Sequence, residues 1–156
     1  MSSLIITRYR STQNKAIIQK IKEVEIECQL SPWSELDYRE EIVRKDSIFL
    51  AADEGGIIVG FLVARIFGKD SDLLNFGVSY RSRGNGIGKA LFKHFIRKAI
   101  EQGVESVWLE VRKSNDNAVR FYQNQGFCII QSRKSFYSNP ADDALLMKTE
   151  VLSKEL

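Results

Sequence analysis

The chain has 156 residues, of which 44% are hydrophobic and 28% are charged, an ordinary balance for a globular protein with one sizeable core. Its formal net charge of +3 is too small to argue for nucleic-acid binding. A single histidine nearly excludes a histidine-based metal centre. We expect one domain over residues 1–156, with no direct nucleic-acid partner and no metal.

Two further features concern the cellular setting. Cys28 and Cys128 have the spacing of neither a disulfide framework nor a metal site, and both lie in apolar sequence. We expect two buried thiols in a reducing compartment. The N-terminus lacks a charged-then-apolar leader, and no apolar run is long enough to span a bilayer. A cytoplasmic protein with no membrane partner is the default expectation.

The N-terminal third predicts one strand and two helices. Residues 4–8 are typical of a short strand, and residues 15–26 of an amphipathic helix capped by Ser11 or Thr12. The apolar face of that helix carries Ile17, Ile21, Val24 and Cys28.

A break between the two helices follows at residues 31–34. Pro32 cannot continue the first helix, and Ser34 caps a second one from Glu35 to about Arg44. Trp33 lies in this loop, where it either packs on the edge of the core or lines a binding cleft. Both alternatives are open at the level of sequence.

The middle of the chain predicts an antiparallel meander. Apolar runs at 47–53, 57–66 and 73–78 are typical of strands. Gly55 and Gly56 suit a hairpin turn between the first two, and the polar residues 68–72 predict a second turn. The meander has four strands if residues 4–8 join it.

The stretch after the third meander strand predicts an anion site. Gly84, Gly86 and Gly88 lead directly into a helical pattern over residues 89–100. Glycines let a backbone turn closely around a ligand, and the start of a helix offers free N–H groups and a partial positive charge. Phosphate or diphosphate is the expected ligand, although a glycine turn by itself is weak support for an anion site.

The last third predicts a strand at 106–111, a helix at 118–125 capped within residues 114–117 and ended by Gly126, and a strand at 127–132. A loop at 135–143 and a closing strand at 144–149 follow. The strand–helix–strand order across residues 73–111 predicts a parallel pair with a right-handed crossover.

The glycine turn has the spacing Arg83-x-x-Gly86-x-Gly88, which fits neither the dinucleotide nor the Walker pattern. It resembles the acyl-CoA diphosphate loop of the GNAT (GCN5-related) N-acetyltransferases. Residues 108–115 and 121–127, with Pro32-Trp33-Ser34, are most similar to the ribosomal-protein-alanine N-acetyltransferases, a bacterial branch of that family. The similarity is densest over residues 73–147.

The resemblance implies an α/β (α+β) GNAT fold, a mixed sheet of about seven strands with about four helices, opened between strands 73–78 and 106–111 to admit acetyl-CoA. It implies a monomer or weak dimer that acetylates an amine, namely a protein N-terminus. It places the general base at Glu110 and the general acid at Tyr122. The implied cofactor contacts are Phe76, Gly77, Val78, Arg83, Gly84, Asn85, Gly86, Ile87, Gly88, Lys89 and Asn115, and the implied acceptor contacts are Trp33, Phe136 and Tyr137.

Elementary chemistry supports the two catalytic roles. Only about a tenth of an α-amine is neutral at pH 7, so a carboxylate that removes its proton helps attack on a thioester. Glu110 lies near the carboxyl end of a parallel strand, where such sites are built. A tyrosine of pKa about 10 can protonate a thiolate of pKa about 8.5. The alternatives are a solvated acid at Glu110 and a core aromatic at Tyr122.

One region departs from the ribosomal-protein-alanine branch. Two tyrosines followed by proline are usual there, whereas this chain has Phe136-Tyr137-Ser138-Asn139-Pro140. A small amine, polyamine or antibiotic is therefore an alternative acceptor. Lys89 is alternatively a surface lysine, and Asn115 a simple helix cap. A non-catalytic acyl-CoA-binding module is a further alternative.

Overall fold

Seven strands and four α-helices account for most of residues 3–11, 15–28 and 32–151, the parts of the chain that this computed structural model describes. These numbers confirm the prediction. Two predicted features, the cap at Thr12 and the start of the helix break at Ser31, lie outside the described residues. In chain order the elements are β1 (Leu4–Arg8), α1 (Lys15–Glu27), α2 (Glu35–Ile42), β2 (Ser47–Glu54), β3 (Ile57–Phe67), β4 (Asp70–Val78), a short 3-10 helix (Tyr80–Ser82), α3 (Ile87–Glu101), β5 (Ser106–Arg112), α4 (Asp116–Asn124), β6 (Cys128–Ser138) and β7 (Ala141–Glu150).

The strands form one mixed sheet in the order β1-β2-β3-β4-β5-β7-β6. β1 to β4 are an antiparallel meander, so the first strand does join it. β4 and β5 are parallel, as the strand–helix–strand order requires. The fold is the predicted one, and the parallel pair lies near the middle of the sheet.

Alternation along β2 and β3 places a core on each face of the sheet. Leu50 and Leu62 pack with the buried side of α3, whereas Phe49 and Phe61 pack against α1 and α2. The amphipathic pattern of α1 explains its position, since Ile17, Ile21 and Val24 are buried in the second core. The sheet is therefore covered by different helices on its two faces.

Local sequence fixes the ends of two helices. Ser34 caps α2 through a reciprocal pair of bonds, because its Oγ accepts from Asp37 N at 3.0 Å and its own N donates to Asp37 Oδ2 at 2.8 Å. Glycines with positive φ lie at both ends of α3, Gly86 at 78° and Gly103 at 84°.

The parallel pair is short, and this opens the sheet. β4 and β5 pair only over Asp70–Ser106, Ser71–Val107 and Asp72–Trp108. Beyond these three positions each strand continues without the other, β4 to Val78 and β5 to Arg112. A bulge at Leu74, which has no partner between Ala64 and Val63 of β3, bends β4 at the point of separation.

Three expectations from sequence are wrong. The polar residues 70–72 are the start of β4 rather than a turn, because Ser71 Oγ donates to Arg65 O at 2.9 Å and all three residues pair on both sides. Residues 135–143 are not a loop, since β6 runs to Ser138 and β7 starts at Ala141. Neither thiol is fully buried as expected: Cys128 is exposed because β6 is the edge strand, and Cys28 is half-buried.

Candidate active site

The gap between the diverging strands is a cavity of about 930 Å³, within the size range of small-molecule sites. It brings together residues from β4, β5, α3, α4, the glycine turn and the β6–β7 hairpin, with Cys28 just after α1 and Trp33 just before α2. Asn85 belongs to the glycine turn but is not part of the lining. The sequence-predicted site residues that line the cavity are Trp33, Phe76, Gly77, Val78, Arg83, Gly84, Gly86, Ile87, Gly88, Lys89, Glu110, Asn115, Tyr122, Phe136 and Tyr137.

The glycine turn forms one end of the cavity. Gly84 and Gly86 have φ of 80° and 78°, and a Cβ on either would meet nothing within 4 Å. These positions therefore need glycine for backbone conformation and not for space. Ala90 N is the first amide to bond back into α3, to Gly86 O at 2.9 Å. The amides of Ile87, Gly88 and Lys89 thus have no acceptor inside the helix.

Glycine is favoured at position 88 for a different reason, namely space. A Cβ there would lie 3.2 Å from Phe76 Cζ and 3.4 Å from Phe121 Cε1. The absent side chain lets the first turn of α3 approach two stacked rings, whose centroids are 5.4 Å apart. The helix start is thereby held against the cavity wall.

The wall contributed by β4 presents backbone groups to the gap. Ser79 N bonds to Val59 O on β3 at 2.7 Å, so by strand alternation the polar groups of Phe76 and Val78 face away from β3. Val78 O accepts from Arg83 Nε at 3.2 Å and from Cys28 Sγ at 3.3 Å. Phe76 N donates to Asn75 Oδ1 at 3.1 Å. Side chains of the same chain therefore satisfy both groups.

Glu110 lies on β5, beyond the last residue that pairs with β4. Its side chain is 33% exposed, and its Oε1 is 3.5 Å from Arg133 Nη1. The carboxylate is thus reachable from the cavity and from solvent. An ion pair this exposed contributes little to stability, so Arg133 can leave without a large cost in folding free energy.

Tyr122 lines the same cavity from α4 but is buried among rings. Its centroid is 5.7 Å from that of Phe127 and 6.2 Å from that of Phe76. Burial raises the pKa of Tyr122 well above its ordinary value, and the nearby Tyr137 adds to the effect. The hydroxyl therefore stays protonated at neutral pH, and the ring is part of the apolar core.

The β6–β7 hairpin closes the side of the cavity next to Glu110. The Arg112 guanidinium lies 4.2 Å from the Tyr137 ring centroid and donates to Pro140 O at 2.7 Å, which ties the hairpin tip to β5. Burial, and then the charge of Glu110, raises the pKa of Tyr137. Phe136 packs edge-on against Tyr137, with ring centroids 5.2 Å apart.

Comparison with known proteins identifies the family. Residues 18–127 match the sequence pattern of the Acetyltransferase (GNAT) family. The chain belongs to this family. It is therefore an acetyl-CoA-dependent N-acetyltransferase whose acceptor is an amine.

Relatives and solved structures agree with this assignment. The chain is 31% identical over 124 residues to the [ribosomal protein bS18]-alanine N-acetyltransferase of Haemophilus influenzae, covering 79% of this chain and 83% of that one. The crystal structure of the Escherichia coli ribosomal-protein-S18-alanine N-acetyltransferase superposes with a TM-score of 0.84, at 24% identity and with 96% and 94% of the two chains covered. Ard1 from Thermoplasma volcanium also gives 0.84, at 26% identity over 94% and 97% of the chains.

Two residues predicted to contact the cofactor or the acceptor also have structural roles. Asn115 caps α4, its Oδ1 accepting from Ala118 N at 3.2 Å, and it also lines the cavity, so its contact with the cofactor stays a prediction. Trp33 is half-buried, and its ring centroid lies 5.1 Å from that of Tyr38. It therefore packs on the core edge and lines the cleft at the same time.

Sequence reasoning missed several residues at this site. Cys28 and Asn75 line the cavity, and Arg133 pairs with Glu110. None of these carries a local motif, because each reaches the cavity only through the pairing of distant segments. Within residues 3–11, 15–28 and 32–151, no cluster of three or more metal-ligating side chains occurs. No helix in the same ranges is long and apolar enough to span a membrane.

Proposed function

We propose that this acetyltransferase acetylates the N-terminal α-amine of a protein, by direct transfer while acetyl-CoA and the acceptor are bound together. The observation that carries the proposal is the single cavity in which Glu110 and Tyr122 share one gap with the glycine turn. The names of the relatives, which act on a ribosomal-protein alanine, support the choice of acceptor. We also propose that residues 1–156 form one domain, a monomer or weak dimer in the cytoplasm.

The first part of the proposal concerns the cofactor. The free amides at the start of α3 and the positive φ of Gly84 and Gly86 suit the diphosphate of coenzyme A. Arg83 and Lys89, both exposed on the same rim, add positive charge. The edge of β4 at Phe76 and Val78, along which no strand pairs on the side of β5, suits the amide-bearing pantetheine arm. Binding there requires Arg83 and Cys28 to release Val78 O.

Glu110 is proposed to remove a proton from the acceptor. An α-ammonium at pH 7 must lose a proton before its nitrogen can attack a thioester carbonyl. Glu110 is open to the cavity, and its only charged partner among the described residues is Arg133 at 3.5 Å. A cationic acceptor would compete with that guanidinium for the carboxylate.

Tyr122 is proposed to protonate the leaving group. As the new C–N bond forms, the C–S bond breaks, and the sulfur takes up the proton of the phenol. Tyr122 is protonated at neutral pH as any tyrosine is, and its raised pKa makes proton transfer to the sulfur more uphill than from an ordinary phenol. The nitrogen loses its surplus proton to solvent as the amide forms, and solvent returns a proton to the phenolate. The amine attacks the thioester directly, so the sequence of steps contains no covalent bond to the enzyme.

The acceptor is proposed to enter between Trp33 and the pair formed by Phe136 and Tyr137. These aromatic side chains line the cavity, and Tyr137 is near enough to Glu110 for that charge to raise its pKa. The hairpin that carries Phe136 and Tyr137 is held by Arg112, which gives this wall a defined position. An aromatic cleft of this kind suits an extended peptide end.

An acceptor panel tests the proposal. Purified enzyme and acetyl-CoA are incubated with Ala-Arg-Tyr-type peptides, with the same peptides blocked at the N-terminus, and with polyamines and aminoglycosides, and the released thiol is measured. The proposal expects turnover of the free peptides alone, with mass spectrometry placing the acetyl group on the α-nitrogen. Turnover of small amines only would refute the acceptor. Cofactor binding with no turnover on any amine would indicate a binding module.

A further inference from the structure

A buried polar network lies outside the catalytic residues, on the face of the sheet covered by α1 and α2. Its members are Glu25 of α1, Tyr38 of α2 and Asn75 of β4, which are 1%, 0% and 8% exposed. The surrounding core is otherwise apolar. A buried carboxylate is costly compared with a well-packed apolar side chain, so its presence here calls for an explanation beyond packing.

The hydrogen bonds converge on one carboxylate oxygen, while Lys22 Nζ lies 3.9 Å from the other, Oε1. Glu25 Oε2 accepts from the Tyr38 hydroxyl, from Trp33 N at 3.1 Å and from Asn75 Nδ2 at 3.4 Å. The Tyr38 oxygen in turn accepts from Asn75 Nδ2 at 2.9 Å. Burial, and then the bond to Glu25, raises the pKa of Tyr38. Tyr38 is therefore permanently a donor to the carboxylate.

That donor direction fixes the amide of Asn75. Because the Tyr38 proton points to Glu25, its oxygen can only accept, and Asn75 must turn its Nδ2 toward it. The Oδ1 of Asn75 consequently faces Phe76 N, 3.1 Å away. Phe76 is one of the two β4 residues whose backbone faces the gap. One end of the network therefore lies on the proposed cofactor wall.

The other end lies on the proposed acceptor wall. Both backbone polar groups of Trp33 are hydrogen-bonded to α1: its N–H donates to Glu25 Oε2 at 3.1 Å, and its carbonyl accepts from Lys22 Nζ at 2.6 Å. Its ring packs on Tyr38 at a centroid distance of 5.1 Å. Trp33 and Asn75 both line the cavity.

We propose that Glu25, Tyr38 and Asn75 are positioning residues that hold the acceptor wall at Trp33 and the cofactor wall at Phe76 in one fixed relation. The inference rests on the proposed function for the identity of the two walls. The distance between the amine and the thioester is then set through the two walls that this network holds. Correct placement of two reactants is a large part of catalysis of this kind.

The test compares Tyr38→Phe with a matched control, Glu41→Gln. Tyr38→Phe removes one hydroxyl and keeps the ring that packs on Trp33. Glu41 is also a buried α2 carboxylate, 3% exposed, but it pairs with Arg65 of β3 and not with either wall. Both variants lose a buried polar interaction, so both are expected to melt at a lower temperature.

Steady-state rates well below the melting temperatures separate positioning from stability. Tyr38→Phe is expected to lower kcat about tenfold, the equivalent of one lost hydrogen bond to a charged group, while Glu41→Gln keeps kcat within about twofold. Adding Asn75→Ala to Tyr38→Phe is expected to lower kcat little further, because both changes break the same network. Equal kcat in Tyr38→Phe and Glu41→Gln would overturn the inference.

A second readout needs no acceptor, so it separates this inference from failure of the proposed function. Amide hydrogen exchange at Phe76 is measured by NMR without ligands. Tyr38→Phe is expected to accelerate exchange at Phe76 about tenfold, since Asn75 is released, and Glu41→Gln is not. Unchanged exchange would overturn the network even if peptides are acetylated. Faster exchange with no peptide turnover would uphold the network and refute the acceptor.

Discussion

Gly86 at the start of α3 permits a sharp test of the diphosphate site, because Gly103 at the other end of the same helix is a natural control. The two residues have φ of 78° and 84°, and a Cβ on either would meet nothing within 4 Å. Alanine at either position carries the same penalty for left-handed backbone, about 1–2 kcal/mol. Only Gly86 borders the cavity.

The two variants are expected to separate in what they lose. In Gly103→Ala the whole penalty lowers the free energy of unfolding, so the melting temperature falls by about 2–8 °C. Its affinity for coenzyme A is expected to be unchanged. In Gly86→Ala the exposed turn can relax in the free protein, so part of the penalty appears only when the ligand forces the turn back. Its melting temperature falls less, and its Kd for coenzyme A rises by up to about 5–30-fold.

The assay is isothermal titration calorimetry with coenzyme A, paired with thermal melting of the same samples. An unchanged Kd in both variants would refute the reasoning, since the ligand would then not require the left-handed conformation of Gly86. An equal rise in Kd in both variants would also refute it, because the effect would belong to the helix as a whole.

Three other changes have defined outcomes. Glu110→Gln is expected to lower kcat about 10²- to 10⁴-fold with unchanged Kd for acetyl-CoA, while Glu101→Gln, on the exposed face of α3, keeps kcat; equal rates would exclude a base at 110. Burial raises the pKa of Tyr122, so as the pH rises the unfolded state loses the phenol proton at a lower pH than the folded state does. The contribution of the buried phenol to the free energy of unfolding is therefore complete below about pH 10. Above that pH it falls by about 1.4 kcal/mol per pH unit. Urea unfolding at pH 9 and pH 11 should therefore show a smaller loss in Tyr122→Phe than in the wild type, and identical losses would contradict the burial. Gly88→Ala is expected to lower the melting temperature, since overpacking against Phe76 costs about 1–3 kcal/mol and outweighs a gain of about 1 kcal/mol in helix propensity; a higher melting temperature would show that the ring moves freely.

Patterns with a local physical cause could be predicted from the sequence. The cap at Ser34, the glycine ends of α3 and the alternation of β2 and β3 each depend on neighbouring residues alone. The parallel pairing of β4 with β5 followed from the helix between them. The resemblance to a family added the opening between those strands.

Errors occurred where a local rule competed with pairing to a distant strand. Residues 70–72 are polar and look like a turn, but neighbours on both sides satisfy their backbone groups. The hairpin from 135 to 143 contains a bulge in which Ser135 takes φ of 54° and its N bonds to Asp143 Oδ1 at 2.9 Å. That bulge allows β6 to continue through a stretch whose sequence suggests a loop.

For the same reason, only part of the candidate site could be predicted from the sequence. The glycine turn, Glu110 and Tyr122 carry motifs and line one cavity, although their roles stay predictions. Glu25 and Asn75 are 50 residues apart in sequence and have no motif, so only the fold reveals their contact. Arg133 reaches Glu110 from the edge of the sheet, which no spacing rule anticipates.

The most direct test of the account is a crystal structure with coenzyme A and an acceptor peptide. The account predicts diphosphate oxygens within about 3.2 Å of amide nitrogens between Gly86 and Lys89, the pantetheine arm along β4, and the sulfur between Glu110 and Tyr122. A diphosphate bound away from the glycine turn would contradict it. So would a Glu110 carboxylate that faces bulk solvent with no water linking it to the peptide nitrogen.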